Sequence, residues 1–302
     1  MMYLLELFAN FTLVTFKRLS ANEVNNYEEW LGPVDQQNKD DETNRIPKRG
    51  TGPASTVICN HFSWVETLGL ILSPLHPGFT PRAETAKAPL IGTGSIGLES
   101  LFIDRGADEA GRQRIVEQIK QRQTEIEVDG VNFNPIMIFA EGTTTNGQYL
   151  LKFKRGAFIG MRTVQPVFAK ITERMFMPMY DVLPFFPMLV LWYSSFCVYH
   201  LQFTIMPEFS PTVWMLENHK GKSETGQDWE IFAECAREAM ARYSGLLPVN
   251  PSLKDKVAYE AFMNMEKPSV TIDGQTFTYD RNNVGSSQRL SLEKSKVKEM
   301  EI

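Results

Sequence analysis

Short apolar stretches alternate with longer segments of helical periodicity along the middle of the chain. β-Branched and aromatic residues cluster at residues 55–60, 100–104, 136–140 and 164–171, and a helix-forming segment at residues 107–127 separates the second cluster from the third. Strands that alternate with helices in this way are typical of an α/β sheet. The pattern therefore predicts a mixed sheet flanked by helices.

Two further segments extend this pattern towards the C-terminus. A long apolar stretch covers residues 181–207, but Pro184 and Pro187 interrupt its first part, and its end is rich in β-branched and aromatic residues. We therefore expect a helix that rests on the membrane or on the core, followed by a strand, instead of a membrane span. Residues 229–243 place apolar side chains on one stripe, which predicts a helix that stops at Gly245.

The two ends of the chain depart from this pattern. Residues 1–16 are mostly apolar and are followed by two basic residues, a length short of the roughly 20 residues that a spanning helix needs. We predict an N-terminal helix in contact with the membrane interface, with a signal-like segment or a buried helix as alternatives. Near the C-terminus, Asp273 and Gly274 predict a hairpin turn, and the polar residues after Asp280 predict disorder.

These patterns divide the chain into four parts. Residues 1–20 form the membrane-contacting segment, and residues 21–54, rich in polar residues, Gly and Pro, form a connection. Residues 55–247 form the main domain, and residues 248–302 form a partly disordered extension.

Composition excludes some classes of function. The net charge of −5 and the pI near 5.6 argue against nucleic acid as a partner, since phosphate binding usually requires a basic imbalance. Cys59, Cys197 and Cys235 are too far apart for a disulfide framework or a zinc site, which indicates a reducing environment. Cys59 lies two residues before His61 and is either a nucleophile or a small apolar residue of a buried strand.

His61 follows the predicted strand at residues 55–60, and Glu66 comes five residues later. If a helix begins near Ser63, Glu66 can reach Nδ1 of the imidazole while Nε2 removes a proton from an alcohol. The alternative is a capping box, in which Ser63 and Glu66 only satisfy the first amides of the helix. The sequence leaves both interpretations open.

Three further motifs after apolar segments carry groups suited to anions. Arginine forks match phosphate, Gly/Thr loops expose amides and hydroxyls, and alternating lysines offer charge to phosphate or CoA. A surface ion pair, an ordinary turn and a solvated basic edge are the respective alternatives. The candidates are Asp104, Arg105, Glu141, Gly142, Thr143, Lys152 and Lys154.

The order of the motifs resembles the four blocks of the lysophospholipid and glycerol-phosphate acyltransferase superfamily. The blocks are His-x4-acid, Gly-x-x-x-Leu-Phe-Ile-Asp-Arg, Glu-Gly-Thr and Val-x-Pro-Val. Three segments, PRAETAKAPLIG, AEGTTTNG and LLKFKRGAFIG, resemble the lysophosphatidylcholine and lysophosphatidylethanolamine acyltransferase branch. The resemblance covers residues 56–245 and implies that residues 55–247 are an acyltransferase domain.

The resemblance also implies roles and partners. His61 would be the general base, Glu66 its orienting acid, Asp104 and Arg105 acceptor-binding residues, and the loop from Glu141 through Thr143 the phosphate side. A fatty acyl group would pass from acyl-CoA to the free hydroxyl of a lysophospholipid, with acyl-CoA as co-substrate and no cofactor or metal. The partners would be acyl-CoA, a lysophospholipid and a membrane surface, at the endoplasmic reticulum or a related endomembrane.

Two positions depart from the family pattern. The family usually has Asp where this chain has Glu66, and Pro where it has Ala140. The longer side chain of Glu66 raises the alternative of a catalytically weak or silent relative that binds lipid or acyl-CoA. A hydrolase or transacylase that uses the same histidine is a further alternative, against which stands the absence of a Gly-x-Ser-x-Gly motif.

Overall fold

The computed structural model describes residues 2–5, 12–37, 39, 41, 43–87, 91–104, 108–172, 187, 190–191, 194 and 199–278. The chain divides into two compact units, Met1–Lys254 and Asp255–Ile302. The regular elements are β1 (Met2–Leu5), β2 (Thr12–Arg18), α1 (Glu28–Leu31), α2 (Val34–Gln37), β3 (Thr56–Cys59), α3 (Val65–Ile71), α4 (Ile91–Gly97), α5 (Glu109–Glu127), β4 (Ile136–Phe139), β5 (Tyr149–Leu150), β6 (Val164–Thr172), β7 (Tyr199–Ile205), α6 (Val213–Asn218), α7 (Asp228–Ser244), β8 (Leu247–Pro248), α8 (Leu253–Met263), β9 (Ser269–Ile272) and β10 (Gln275–Thr278). Short 3-10 helices cover Asn22–Tyr27, Ala83–Lys87, Arg155–Ala157 and Lys220–Lys222.

A mixed six-stranded sheet, with strand order β1-β2-β7-β6-β3-β4, forms the centre of the first unit. Strand β3 lies parallel to both β4 and β6, whereas β7 is antiparallel to β6 and parallel to β2. The predicted mixed α/β sheet is therefore confirmed. Because β3, β4 and β6 run in the same direction, their carboxyl ends meet at one edge of the sheet.

Most predicted elements are present with small shifts at their ends. Helix α5 begins after Asp108, whose side chain accepts a hydrogen bond from the Gly111 amide at 2.8 Å. Helix α7 ends at Gly245, whose φ of 69° is the left-handed conformation that glycine adopts readily. The hairpin of β9 and β10 turns through Asp273 and Gly274, both with positive φ.

The predicted strand at residues 100–104 is reduced to a single bridge. Ile103 pairs with Arg82, and the Ile103 amide donates to the Pro81 carbonyl at 2.8 Å. The segment pairs here with the chain just before the 3-10 helix Ala83–Lys87, and it does not enter the six-stranded sheet.

The prediction of an N-terminal helix is wrong for the residues that the structure describes. Thr12–Arg18 is strand β2, which pairs along its whole length with β7, and Met2–Leu5 is strand β1. The sequence TLVTF consists of β-branched, leucine and phenylalanine residues, which suit a pleated and half-buried surface. Burial of Thr12 and Val14 between neighbouring elements accounts for the apolar character that suggested an interfacial helix.

Residues 21–54, predicted as a connection, also contribute to the core. Val24, Tyr27, Trp30 and Leu31 are buried and pack with residues of helix α7. The Trp30 indole N–H donates to Glu238 on that helix at 3.0 Å. Aromatic side chains with one polar group supply both apolar area and a hydrogen bond. Trp30 and its neighbours therefore anchor this segment to helix α7, although the segment is rich in polar residues.

The sheet buries both of its faces. On one face Ile58 and Phe168 pack with helix α7, whose predicted apolar stripe is buried. On the other face Val57 and Cys59 pack with Val65 and other residues of helix α3. Within the part of the chain that the structure describes, no helix has the length and apolar character required to cross a membrane.

Helix α3 lies close to strand β7 because residue 69 has no side chain. A Cβ atom placed on Gly69 would lie 2.5 Å from Cε2 of Phe203 and 2.9 Å from Cδ2 of Leu201. Both neighbours are fully buried, so neither has room to move away. Gly69 therefore sets the distance between this helix and the sheet.

We predict that Gly69→Ala destabilises the protein through overpacking. The matched control is Gly94→Ala in helix α4, where a Cβ atom would meet nothing within 4 Å. Both substitutions gain the same helix propensity, so their difference isolates the packing cost. In urea unfolding we expect Gly69→Ala to be about 1–3 kcal/mol less stable than Gly94→Ala. Equal unfolding free energies would contradict the close packing of α3 on β7.

Candidate active site

The site begins where strand β3 ends, between β6 and β4. Asn60 is buried directly after strand β3. Its side chain bonds to strand β6 in the way that the backbone of one further strand residue would. Its Nδ2 donates to the Ala169 carbonyl at 3.0 Å, and the Ala169 amide donates to its Oδ1 at 2.8 Å. Asn60 therefore fixes the chain immediately before His61. Sequence reasoning assigned it no role, although its place between the strand and His61 was a visible signal.

Both backbone groups of His61 are hydrogen-bonded. Its amide donates to Oε1 of Glu141 at 3.0 Å, and its carbonyl accepts from the Thr145 amide at 2.8 Å. The other oxygen of Glu141 accepts from the Leu151 amide at 3.0 Å. Glu141 is fully buried, so this carboxylate ties the loop after β4 to the end of β3.

The imidazole of His61 is held on two sides. Its Nδ1 is hydrogen-bonded to Oε1 of Glu66, and its ring stacks on Phe139 with the centroids 3.8 Å apart. Glu66 is fully buried, whereas 21% of the His61 side chain is accessible. The ring nitrogen that can face a substrate is therefore Nε2.

One oxygen of Glu66, Oε1, makes the contacts expected of a His–acid pair and also one contact expected of a capping box. Besides the imidazole, Oε1 accepts from the amides of Phe62 and Ser63, each at 2.9 Å. The Ser63 bond is one half of a capping box. The reciprocal half is missing, because Ser63 Oγ is buried and has no hydrogen-bond partner among the described residues. Capping alone does not account for Glu66, which also orients His61.

Glutamate fits this position because Glu66 is the second residue of helix α3. The helix starts at Val65, and residues 61–64 connect it to the end of strand β3. The carboxylate reaches the imidazole and two amides at once. The longer acid is therefore compatible with a hydrogen-bonded pair.

Cys59 is a core residue and not a nucleophile. It is fully buried, and its Sγ lies 3.6 Å from Oδ1 of Asn60. Burial raises the pKa of this thiol well above its usual value, and the nearby carboxylates of Glu66 and Glu141 raise it further. A protonated thiol without access to solvent is a poor nucleophile.

The remaining described candidates of the loop after β4 and of the basic segment lie in different environments. Gly142 is exposed with a φ of 74°, and Thr143 beside it is half-buried. Lys154 is half-buried, and its amide donates to the Ala140 carbonyl at 2.7 Å. Lys152 forms an ion pair with Glu224. Gly142 and Thr143 thus lie in the loop after β4, whereas Lys152 is paired with Glu224.

The acceptor block is described only in part. Asp104 is exposed and directly follows the Ile103 bridge. Arg105, the predicted phosphate ligand of this block, lies outside the described residues.

Comparison with known proteins finds a family model that matches the region of this site. The model of the Acyltransferase family matches residues 40–179, a range that contains His61, Glu66 and Glu141. The chain is 29% identical over 208 residues to lysophospholipid acyltransferase LPEAT1 from Arabidopsis thaliana, covering 69% of this chain and 49% of that protein. It is 26% identical over 218 residues to the lysophosphatidylcholine acyltransferase from Drosophila melanogaster, covering 70% of this chain and 37% of that protein.

The chain thus spans half or less of the length of these relatives. Similarity to a solved structure is lower: the 1-acyl-sn-glycerophosphate (LPA) acyltransferase PlsC from Thermotoga maritima shares 18% identity with a TM-score of 0.38, over 73% of this chain and 79% of that chain. The family match and the relatives confirm the resemblance found in the four motifs. Residues 40–179 of this chain match the model of the Acyltransferase family.

Proposed function

We propose that the chain transfers a fatty acyl group from acyl-CoA to the free hydroxyl of a lysophospholipid. The observation that carries the proposal is the pair of His61 and Glu66, in which a partly accessible imidazole is bonded to a buried carboxylate. The names of the relatives specify lysophospholipid substrates, which supports the same acceptor here.

In this reaction His61 acts as general base. Nε2 takes the proton of the acceptor hydroxyl while the hydroxyl oxygen attacks the thioester carbonyl. A carbon–oxygen bond forms, and the tetrahedral intermediate collapses as the carbon–sulfur bond breaks. The imidazolium then returns its proton to the departing thiolate, so that free CoA and the diacyl lipid are released.

Glu66 stabilises the imidazolium that forms in this step. The amides of Phe62 and Ser63 hold its carboxylate in place before any substrate binds. Because the carboxylate is buried, its attraction to a positive charge on His61 is screened less than it would be in water. The Nδ1 bond also fixes the tautomer that leaves Nε2 able to accept a proton.

The competing function is a silent relative that binds lipid or acyl-CoA without turnover. The deciding experiment incubates the purified full chain with radiolabelled acyl-CoA and a panel of lysophospholipids. We expect labelled diacyl lipid. Binding of both substrates without labelled product would contradict the proposed function and favour the silent relative.

We predict that His61→Ala reduces acyl transfer by at least about 100-fold, the lower range for loss of a general base. The matched control is His219→Ala, because His219 is distant in sequence from the site residues. Its ring contacts Trp214 and the Glu29 carbonyl. The control should keep nearly full activity, and both variants should keep their thermal midpoint within a few degrees. Substantial activity in folded His61→Ala would exclude His61 as the base.

We predict opposite consequences for two substitutions of Glu66. Glu66→Gln keeps the shape but removes the charge that stabilises the imidazolium, so activity should fall by about two orders of magnitude or more. Oε2 of Glu66 has no hydrogen-bond partner among the described residues. The glutamine amide nitrogen at that position would be buried without an acceptor, which should lower the unfolding free energy by about 1–3 kcal/mol. Glu66→Asp keeps the charge and should retain at least about ten times the activity of Glu66→Gln. A fully active Glu66→Gln enzyme would leave Glu66 with a capping role only.

We also propose that the protein associates with membranes through apolar contact. Val190 and Leu191 lie in helical conformation with 51% and 45% of their surface exposed. We predict that the chain sediments with membranes and is released by detergent and not by high salt. Serine at both positions should weaken sedimentation, whereas Val257→Ser, which also replaces an exposed valine, should not. Full release by high salt would contradict an apolar attachment.

A further inference from the structure

Phe139 ends strand β4 beside the end of strand β3. In the parallel register of these strands its Cα partner is Cys59, which precedes His61 by two positions. Side chains alternate between the two faces of a strand. Ile138 packs against the cluster that contains residues of helix α7, whereas Phe139 packs against the cluster that contains Cys59 and Val65. The register therefore brings the Phe139 ring to the side of the sheet on which helix α3 and His61 follow.

The contact between the rings of Phe139 and His61 is flat and close. Their centroids lie 3.8 Å apart, and their planes differ by 13°. The hydrogen bond of Nδ1 to Glu66 fixes one atom of the imidazole, but by itself it permits the ring to tilt about that bond. A parallel ring against one face of the imidazole opposes this tilt. Glu66 and Phe139 together thus define the plane in which Nε2 lies.

The Phe139 ring also acts on the charge of the imidazole. The face of a benzene ring carries partial negative charge and attracts a cation that lies within roughly 6 Å of the centroid. In the proposed reaction His61 becomes a cation when it takes the proton of the acceptor. Only 21% of the His61 side chain is accessible and Phe139 is half-buried, so water screens this attraction only in part. The ring therefore favours the imidazolium over the neutral imidazole.

Titratable groups on the neighbouring elements act on His61 as well. Glu66 of helix α3 contacts its ring, Glu141 of the loop after β4 accepts from its backbone amide, and the buried thiol of Cys59 lies at the end of β3. The two carboxyl groups, when ionised, favour the imidazolium in the same direction as Phe139. A substitution of Phe139 leaves all three groups in place, so the difference from wild type measures the ring.

We propose that Phe139 is a positioning residue of the acyl transfer, whose aromatic face holds the plane of the imidazole and stabilises the imidazolium of the transition state. The inference rests on the proposed function and adds a requirement for an aromatic ring at this position. An aliphatic side chain of similar size supplies packing but has no negative face. The stabilisation of charge therefore belongs to the ring and not to its volume.

The first test titrates His61 in the full chain without substrate, so it needs no turnover. The imidazole carbon resonances are followed by NMR against pH, and His61→Ala assigns the signal. We expect Phe139→Leu to lower the midpoint of the His61 titration by about half a pH unit or more, because the imidazolium loses its partner. Pentafluorophenylalanine at this position keeps a ring but removes the negative charge of its face, so it should lower the midpoint too, whereas Phe139→Tyr should not.

The matched control for this titration is Phe16→Leu. Phe16 is half-buried, packs against the same cluster as Phe139 and stacks on Phe203, also with an interplanar angle of 13°. Its loss removes an aromatic stack of the same core without touching the imidazole. The control should leave the titration of His61 unchanged.

The second test measures the pH dependence of acyl transfer. A general base must be neutral, so kcat/KM declines as the pH falls through the titration of His61. In Phe139→Leu this decline should move to lower pH by the same interval as the NMR midpoint. The plateau of kcat should fall about fivefold to tenfold with little change in KM, because the stabilised charge is present only in the transition state.

Two results would overturn the proposal. An unchanged midpoint in both Phe139→Leu and the fluorinated variant would reduce Phe139 to a packing role, and so would a fall in kcat without any movement of the pH profile. If Phe139→Leu does not fold, the fluorinated variant, which keeps the ring, decides the question. Absence of acyl transfer in the separate labelling assay would contradict the proposed function, whereas a shifted midpoint would still establish the contact of Phe139 with the imidazolium.

Discussion

The structure of the site depends on one buried carboxylate, that of Glu66. A carboxylate removed from water is tolerable only when hydrogen bonds or positive charge compensate for the lost hydration. Here the compensation comes from the amides of Phe62 and Ser63 and from the ring of His61. The same oxygen thus fixes the first turn of helix α3 and the orientation of the imidazole. The hydrogen bonds that hold the start of helix α3 therefore share one acceptor oxygen with the bond that orients the imidazole.

A second buried carboxylate supports the first from the other side of His61. Glu141 holds the backbone of the histidine, whereas Glu66 holds its ring. Both carboxylates are turned inwards, towards donors supplied by the chain. Two buried carboxyl groups therefore hold His61, one by its backbone amide and one by its ring.

The parts that could be predicted from the sequence are those that local residues determine. Periodicity and a terminal glycine define helix α7, an Asp-Gly turn defines the hairpin, and the spacing of His61 and Glu66 allows their contact. Strand β2 could not be predicted in the same way, because its partner β7 is distant in sequence; the contact of Thr15 with His200 joins residues 185 apart. Glu141 lies in a Gly/Thr-rich turn that looks solvated, and its burial goes with bonds to the amides of His61 and Leu151, which the turn itself does not contain.

The segment matched by the family model is smaller than the compact unit Met1–Lys254 that contains it. Residues 40–179 include β3, β4 and β6 but lack β7, β2 and helix α7. A fragment cut at these limits would leave β6 as an open edge and uncover the face around Ile58, both of which favour aggregation. The range matched by the family model and the compact unit Met1–Lys254 therefore have different boundaries, and strand β2 lies only in the compact unit.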